Sequence, residues 1–188
     1  MKLVLIGSST GGPGQLRFLL EDLDIKDTCI IIAQHMTEKF LPSFIEQFDK
    51  NSKSSVCTLE DKEILSNKIY ICCKNTILKG QVKITANWSD LPSDFNPSVD
   101  LLFNSAVDLV KSNTILAVIL TGMGDDGAES LLKLHKAGVK CIGENQEDCV
   151  VFGMPKRARQ LNPDLKLMSL KDIKKEILSF IEDENLNH

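Results

Sequence analysis

No apolar run in this sequence approaches the roughly 20 residues that a membrane-spanning helix requires. The longest, such as Thr28 to Ala33 and Ile115 to Leu120, are strand-sized. Basic residues are not in excess: 22 Lys and Arg stand against 26 Asp and Glu, for a net charge of -4, and the lysines are scattered among acids. The chain therefore offers no electrostatic footprint for a phosphate backbone, and nucleic acid is not expected as a partner. Six cysteines are present but no Cys-x-x-Cys pair, which argues against both a zinc site and a disulfide framework. Four of the six lie in apolar strand-like runs, where a reduced thiol behaves as a small hydrophobe and suits a reducing, cytoplasmic setting. The start reaches Gly7 without the apolar core and cleavage site of a secretory signal, so export is not expected. Repeats, low-complexity tracts and interdomain linkers are also missing.

What is present reads as one domain over 1–188, with 43% hydrophobic and 26% charged residues, enough to bury a core without metal or disulfides. Lys2 to Ile6 and Thr28 to Ala33 are continuously apolar rather than alternating, the pattern of parallel strands covered on both faces. Between them lie a glycine-rich turn, Gly7 to Gly14, and a helix, Gln15 to Leu23, so the chain opens as a βαβ unit. Glu38 to Lys50 places Phe40, Leu41, Phe44, Ile45 and Phe48 on one core-facing helical stripe. Short strands follow at Lys68 to Cys72 and Thr76 to Thr85, the latter broken at Gly80 as in a hairpin or sheet extension. Ala86 to Ser98 is a loop long enough to border a site. Helices at Asp100 to Ser112 and Asp126 to Ala137 enclose a third buried strand, Thr114 to Leu120. Gly138 stops the second of these helices, Val139 to Gly143 is a further strand, and Leu170 to Leu186 is a packing helix before a frayed tail.

The run Gly7-Ser8-Ser9-Thr10-Gly11 fits the Gly-x-Ser-x-Gly frame of a nucleophile on a tight strand-to-helix turn, and the helix after it supplies free N–H groups for an oxyanion. Two phosphate-binding readings of the same turn fail. Pro13 and Gly14 stand where a Walker loop needs lysine and a hydroxyl residue, and Arg17 stands where a dinucleotide fingerprint needs a small residue. A nucleophilic serine needs a base, and there are three histidines to choose from. His188 is the C-terminus and His135 lies within a helix, whereas His35 follows the second buried strand and opens on the same sheet edge as Ser9. The third strand ends in Gly122-Met123-Gly124-Asp125-Asp126-Gly127, whose carboxylates could simply cap a helix or could orient His35. Spacing does not choose between Asp125 and Asp126. The order Ser, His, Asp excludes an ordinary α/β-hydrolase, in which histidine comes last.

Five motifs, in order, resemble the catalytic domain of CheB-type chemotaxis protein-glutamate methylesterases. They are Ile6 to Pro13, Gln34-His35-Met36, Pro97-Ser98-Val99-Asp100, Leu120 to Ala128 and Cys149 to Pro155. The resemblance implies a doubly wound, three-layer α/β/α fold with a mostly parallel sheet and a small antiparallel hairpin. It also implies Ser9 as nucleophile, His35 as base, Asp126 as its orienter, and Thr10 and Met123 as backbone donors beside the reacting ester. No metal or organic cofactor is expected. The implied substrates are glutamate methyl esters on the cytoplasmic helices of methyl-accepting chemoreceptors, with deamidation of receptor glutamines as a related activity. The enzyme would be cytoplasmic, meeting the membrane only through receptors.

Three departures stand out. Tyr70-Ile71-Cys72-Cys73-Lys74-Asn75 replaces a Pro-Gly-rich loop of the family. Ser93-Asp94-Phe95-Asn96 stands where a basic stretch commonly precedes Pro-Ser-Val-Asp. Met1 is followed almost at once by the first strand, so the sequence is read as lacking the N-terminal receiver domain of its relatives and as constitutively open. Rival readings from other classes are a receptor-binding module that keeps the fold without catalysis, and a Rossmann-like nucleotide binder. Ester hydrolysis by purified protein separates the first, and titration with NAD or ATP the second.

Overall fold

The three continuously apolar runs become the centre of a parallel sheet in the computed structural model, which describes residues 1–183. In chain order the elements are β1 (Lys2–Ser8), α1 (Gly12–Leu20), β2 (Thr28–Gln34), α2 (Leu41–Asn51), β3 (Val56–Leu59), β4 (Glu63–Ile64), β5 (Ile69–Cys72), β6 (Thr76–Lys79) and β7 (Thr85–Trp88). The second half adds α3 (Val99–Ala106), β8 (Thr114–Ile119), α4 (Ala128–Lys136), β9 (Lys140–Glu144), α5 (Met154–Leu161), β10 (Lys166–Met168) and α6 (Leu170–Glu182). Seven strands form the main sheet in the order β10-β9-β8-β1-β2-β5-β3, every neighbouring pair parallel. The antiparallel part is a separate three-stranded sheet, β4-β7-β6.

Successive side chains of a strand point to opposite faces, and here both faces are buried. Leu3, Leu5, Ile31, Ala117 and Ile119 pack on one side against Leu102 and Phe103 of α3, Leu131 of α4 and Met154 of α5, with the small sheet closing that layer. Val4, Ile6, Ile30, Ile32 and Val118 pack on the other against Leu16 and Leu19 of α1, Phe48 of α2 and Ile177 of α6. Each such side chain contributes about 1.5–3 kcal/mol by burial, so this two-sided core holds the strand ends in place.

The chain runs outward from β1 through β2 on one side and returns to β8 on the other, so the order reverses between β1 and β8. At such a point the loops leaving the carboxyl ends diverge and open a crevice, the customary ligand site of an open α/β sheet. Ser9 leaves β1 there, His35 leaves β2, and Thr121 to Gly127 leave β8.

Some elements differ from the expectation. Phe40 precedes α2 rather than joining its buried stripe and is 62% exposed, while Leu41, Ile45 and Phe48 are buried. The expected Ala86 to Ser98 loop is shorter, because Ala86 to Trp88 pair with β6 as part of β7, and the helix after it ends at Ala106 and continues only as a short 3-10 turn. In α6, Ile173, Ile177 and Ile181 face the core but Leu178 is exposed; Leu186 and His188 lie outside the described residues. None of the helices among the described residues is long and apolar enough to cross a membrane.

Candidate active site

The turn carrying Ser9 is clamped between neighbouring strand ends. Ser9 N–H donates to Thr121 O at 2.9 Å, and Thr121 Oγ1 donates to Thr10 O at 2.9 Å. Gly12 N–H closes the turn on Ser9 O at 2.9 Å. Gly11 has φ +88°, and a Cβ there would come within 2.5 Å of the Val150 side chain, so both conformation and space call for glycine. Gly122 is required for a different reason: its missing Cβ would stand 2.7 Å from Ser9 Cβ.

His35 is set relative to Ser9 by the sheet register. Ser8 pairs with Gln34, and His35 N–H donates to Ser8 O at 2.9 Å. The buried Gln34 carboxamide ties the two segments further. Its Oε1 accepts from Ser8 Oγ at 2.6 Å, while its Nε2 donates to Ser9 O at 2.9 Å and to His35 O at 2.8 Å. Gln34 stands in the Gln34-His35-Met36 motif without a role of its own there; a polar side chain closing a continuously apolar run is the sequence signal for one.

Asp126, not Asp125, meets the imidazole. His35 Nε2 lies 2.7 Å from Asp126 Oδ2, with both side chains largely buried, whereas Asp125 is exposed. The carboxylate also accepts from Val99 N–H at 2.7 Å, Asp100 N–H at 2.8 Å and Ser98 Oγ at 3.2 Å. It therefore occupies the N-terminus of α3, where free amides and the helix dipole complement negative charge. Asp100 Oδ1 in turn accepts Ser130 N–H in the first turn of α4, so each helix start is satisfied by a carboxylate from the other's segment.

With Nε2 directed at Asp126, Nδ1 is the ring nitrogen left for another partner. Among the described residues the Ser9 hydroxyl makes no hydrogen bond to it. Catalytic hydrogen bonds of this kind commonly tighten only with substrate bound. Thr10 and Met123 flank Ser9 on the turns after β1 and β8; both are exposed, and their N–H groups donate to no protein atom among the described residues. A cleft of about 410 Å³ opens beside Asp126, lined among others by Phe95, Ser98, Asp125, Glu129 and Arg157.

Beneath the turn lies Glu144, fully buried, whose Oε2 accepts Thr121 N–H at 2.7 Å and whose Oε1 accepts from Gln15 Nε2. Burial raises its carboxyl above the ordinary glutamate value, opposed by hydrogen bonds from Thr121 N–H, Cys149 and Gln15. Cys149 is pushed up to about 12, first by burial and then by the Glu144 charge, so it stays a thiol near neutral pH and is a poor nucleophile. Neither Gln15 nor Glu144 belongs to any motif that singled out the site. All six cysteines are free, and no cluster of metal-ligating side chains occurs among the described residues.

Comparison with known proteins gives one consistent picture. A family model described as CheB methylesterase matches residues 4–177. A protein-glutamate methylesterase/protein-glutamine glutaminase of Rhodospirillum rubrum is 37% identical over 94% of this chain and 50% of its own length. A protein of the same description from Bordetella parapertussis is 36% identical over 97% of this chain and 54% of its own. The chain thus spans about half the length of these curated relatives. The crystal structure of the Thermotoga maritima CheB methylesterase catalytic domain superposes with a TM-score of 0.86 at 34% identity, covering 95% of this chain and 97% of that one.

Proposed function

This chain belongs to the CheB methylesterase family, and from that premise we propose that it is a serine hydrolase that removes methyl groups from glutamate side chains of chemoreceptors. The observation that carries the reading is the buried His35–Asp126 hydrogen bond at the strand edge that also presents Ser9. In the proposed reaction Ser9 Oγ attacks the ester carbon while His35 Nδ1 takes the hydroxyl proton. Asp126 keeps the other ring proton on Nε2, so Nδ1 is the nitrogen with a free lone pair, and it balances the charge of the imidazolium that forms. The Thr10 and Met123 amides are the donors for the tetrahedral oxyanion.

Collapse of that intermediate breaks the bond to the methoxy oxygen, which leaves as methanol with the proton from His35. Water, deprotonated in turn by His35, then releases glutamate and restores the serine. The same sequence acting on a glutamine side chain expels ammonia, which is the proposed second activity. The substrates place the enzyme in the cytoplasm, at the membrane surface only through its receptors.

The test is methanol release from methylated chemoreceptor membranes by the purified chain, with Ser9→Ala as control. Release that depends on Ser9 supports the proposal. Equal release by both proteins removes Ser9 from the mechanism, and no release by either removes the esterase reading.

A further inference from the structure

The Phe95 ring lies flat against the His35 imidazole, with centroids 4.6 Å apart and planes 4° from parallel. We infer that Phe95 is a positioning residue that fixes the plane of the catalytic imidazole, an inference that rests on the reading of His35 as general base.

One hydrogen bond at Nε2 leaves the ring free to tilt about the line from Cβ to Nε2. The Nδ1 lone pair lies in the ring plane, so tilting swings it away from the serine hydroxyl. The offset stack against part of that face restricts the tilt and shields the covered part from water.

The segment bearing Phe95 is itself anchored. Asn75 N–H donates to Asn96 Oδ1 at 2.8 Å, and Asn75 Oδ1 accepts Ser98 N–H at 2.8 Å, so one residue clips the strap on both sides of Pro97. Ser93 Oγ accepts Phe95 N–H at 3.2 Å. The strap then runs directly into Ser98, Val99 and Asp100, the donors to Asp126. A single stretch of six residues thus holds the carboxylate at the edge of the imidazole and the phenyl ring on its face.

Steady-state methanol release from methylated chemoreceptor membranes tests this with the full chain and the variants Phe95→Leu, Phe95→Tyr and Asn96→Ala, each checked for its melting temperature. Phe95→Leu keeps an apolar side chain without a stacking face, and kcat is expected to fall about three- to tenfold with KM within about twofold. Phe95→Tyr restores the face and is expected to recover most of kcat. Asn96→Ala changes an exposed residue, loosens the strap and leaves the ring, and a smaller fall in kcat alone is expected; it carries the test if Phe95→Leu does not fold. An unchanged kcat in folded Phe95→Leu would overturn the inference. So would a rise in KM alone, which marks a substrate contact, or an equal loss in Phe95→Tyr, which marks packing that the ring face does not explain. Wild-type protein that releases no methanol would overturn both this and the reading beneath it.

Discussion

Replacing Asp126 by asparagine changes one atom and sets four hydrogen bonds against each other. In the native site Oδ2 accepts from His35 and Val99 N–H, and Oδ1 from Asp100 N–H and Ser98 Oγ. An amide nitrogen in the Oδ1 position faces the Asp100 N–H, donor to donor, and makes the Ser98 hydroxyl turn its proton away. In the Oδ2 position it opposes Val99 N–H but can donate to His35 Nε2. Each arrangement keeps three of the four contacts, but the first leaves the Ser98 O–H without its acceptor, a preference of about 1 kcal/mol for the second. It also moves the imidazole proton to Nδ1, the atom that must accept from Ser9.

Activity of Asp126→Asn is therefore expected to fall by about 10⁴, as when a triad histidine is held in the wrong tautomer. One buried amide left without a partner should cost about 1–3 kcal/mol of stability, measured by denaturant melts. Asp125 is exposed and its side chain makes no hydrogen bond among the described residues, so Asp125→Asn should stay within a few-fold of wild type. Methanol release is the assay for both. If Asp126→Asn kept more than about a tenth of the wild-type rate, the tautomer argument would fail. A larger loss in Asp125→Asn would transfer the role.

Gln34→Glu puts an acceptor where Nε2 now donates to two carbonyl oxygens, Ser9 O and His35 O. Loss of those two bonds should lower both melting temperature and rate, by about 1–3 kcal/mol of stability, and a variant with unchanged melting would show the carboxamide to be dispensable. Glu144 has a raised carboxyl because of burial, so the folded state holds that proton longer than the unfolded chain does. Its contribution to stability is full below the ordinary glutamate range and is lost as pH rises through the folded value. Glu144→Gln removes this dependence, so melting curves should favour the variant increasingly from acid toward neutral pH; a constant or reversed difference would contradict it.

The centre of the fold was legible because it is dry on both sides. β1, β2 and β8 carry unbroken apolar runs, and no other packing accommodates them as readily as a parallel sheet. The periphery was not. β3, at the sheet edge, buries only its end residues Val56 and Leu59, and β4 has two residues and β10 three, too few for a periodic signal. In α5 only Met154, Pro155 and Ala158 are buried, so the helix carries little apolar patterning.

At the site, strand ends brought Ser9 and His35 to one edge in the sequence as in the structure. The choice of carboxylate was not available from spacing. An aspartate before a helix reads locally as that helix's own cap, yet Asp126 serves the start of α3, and α4 receives Asp100 in exchange. Such crossing is fixed by tertiary packing between helices far apart in sequence. The roles of Gln34, Glu144 and Phe95 were hidden for the same reason, since they lie in contacts with residues distant in the chain: Ser8 and Ser9, Thr121, and His35.

The covalent step is the centre of the proposal, and acid-quenched mass spectrometry of the enzyme turning over a glutamyl methyl ester peptide tests it most directly. The expected result is a mass increment, equal to the peptide acyl group, on the fragment containing Ser9, absent in Ser9→Ala and lost as the substrate is consumed. An adduct on any other residue, or turnover at the wild-type rate by Ser9→Ala, would contradict it.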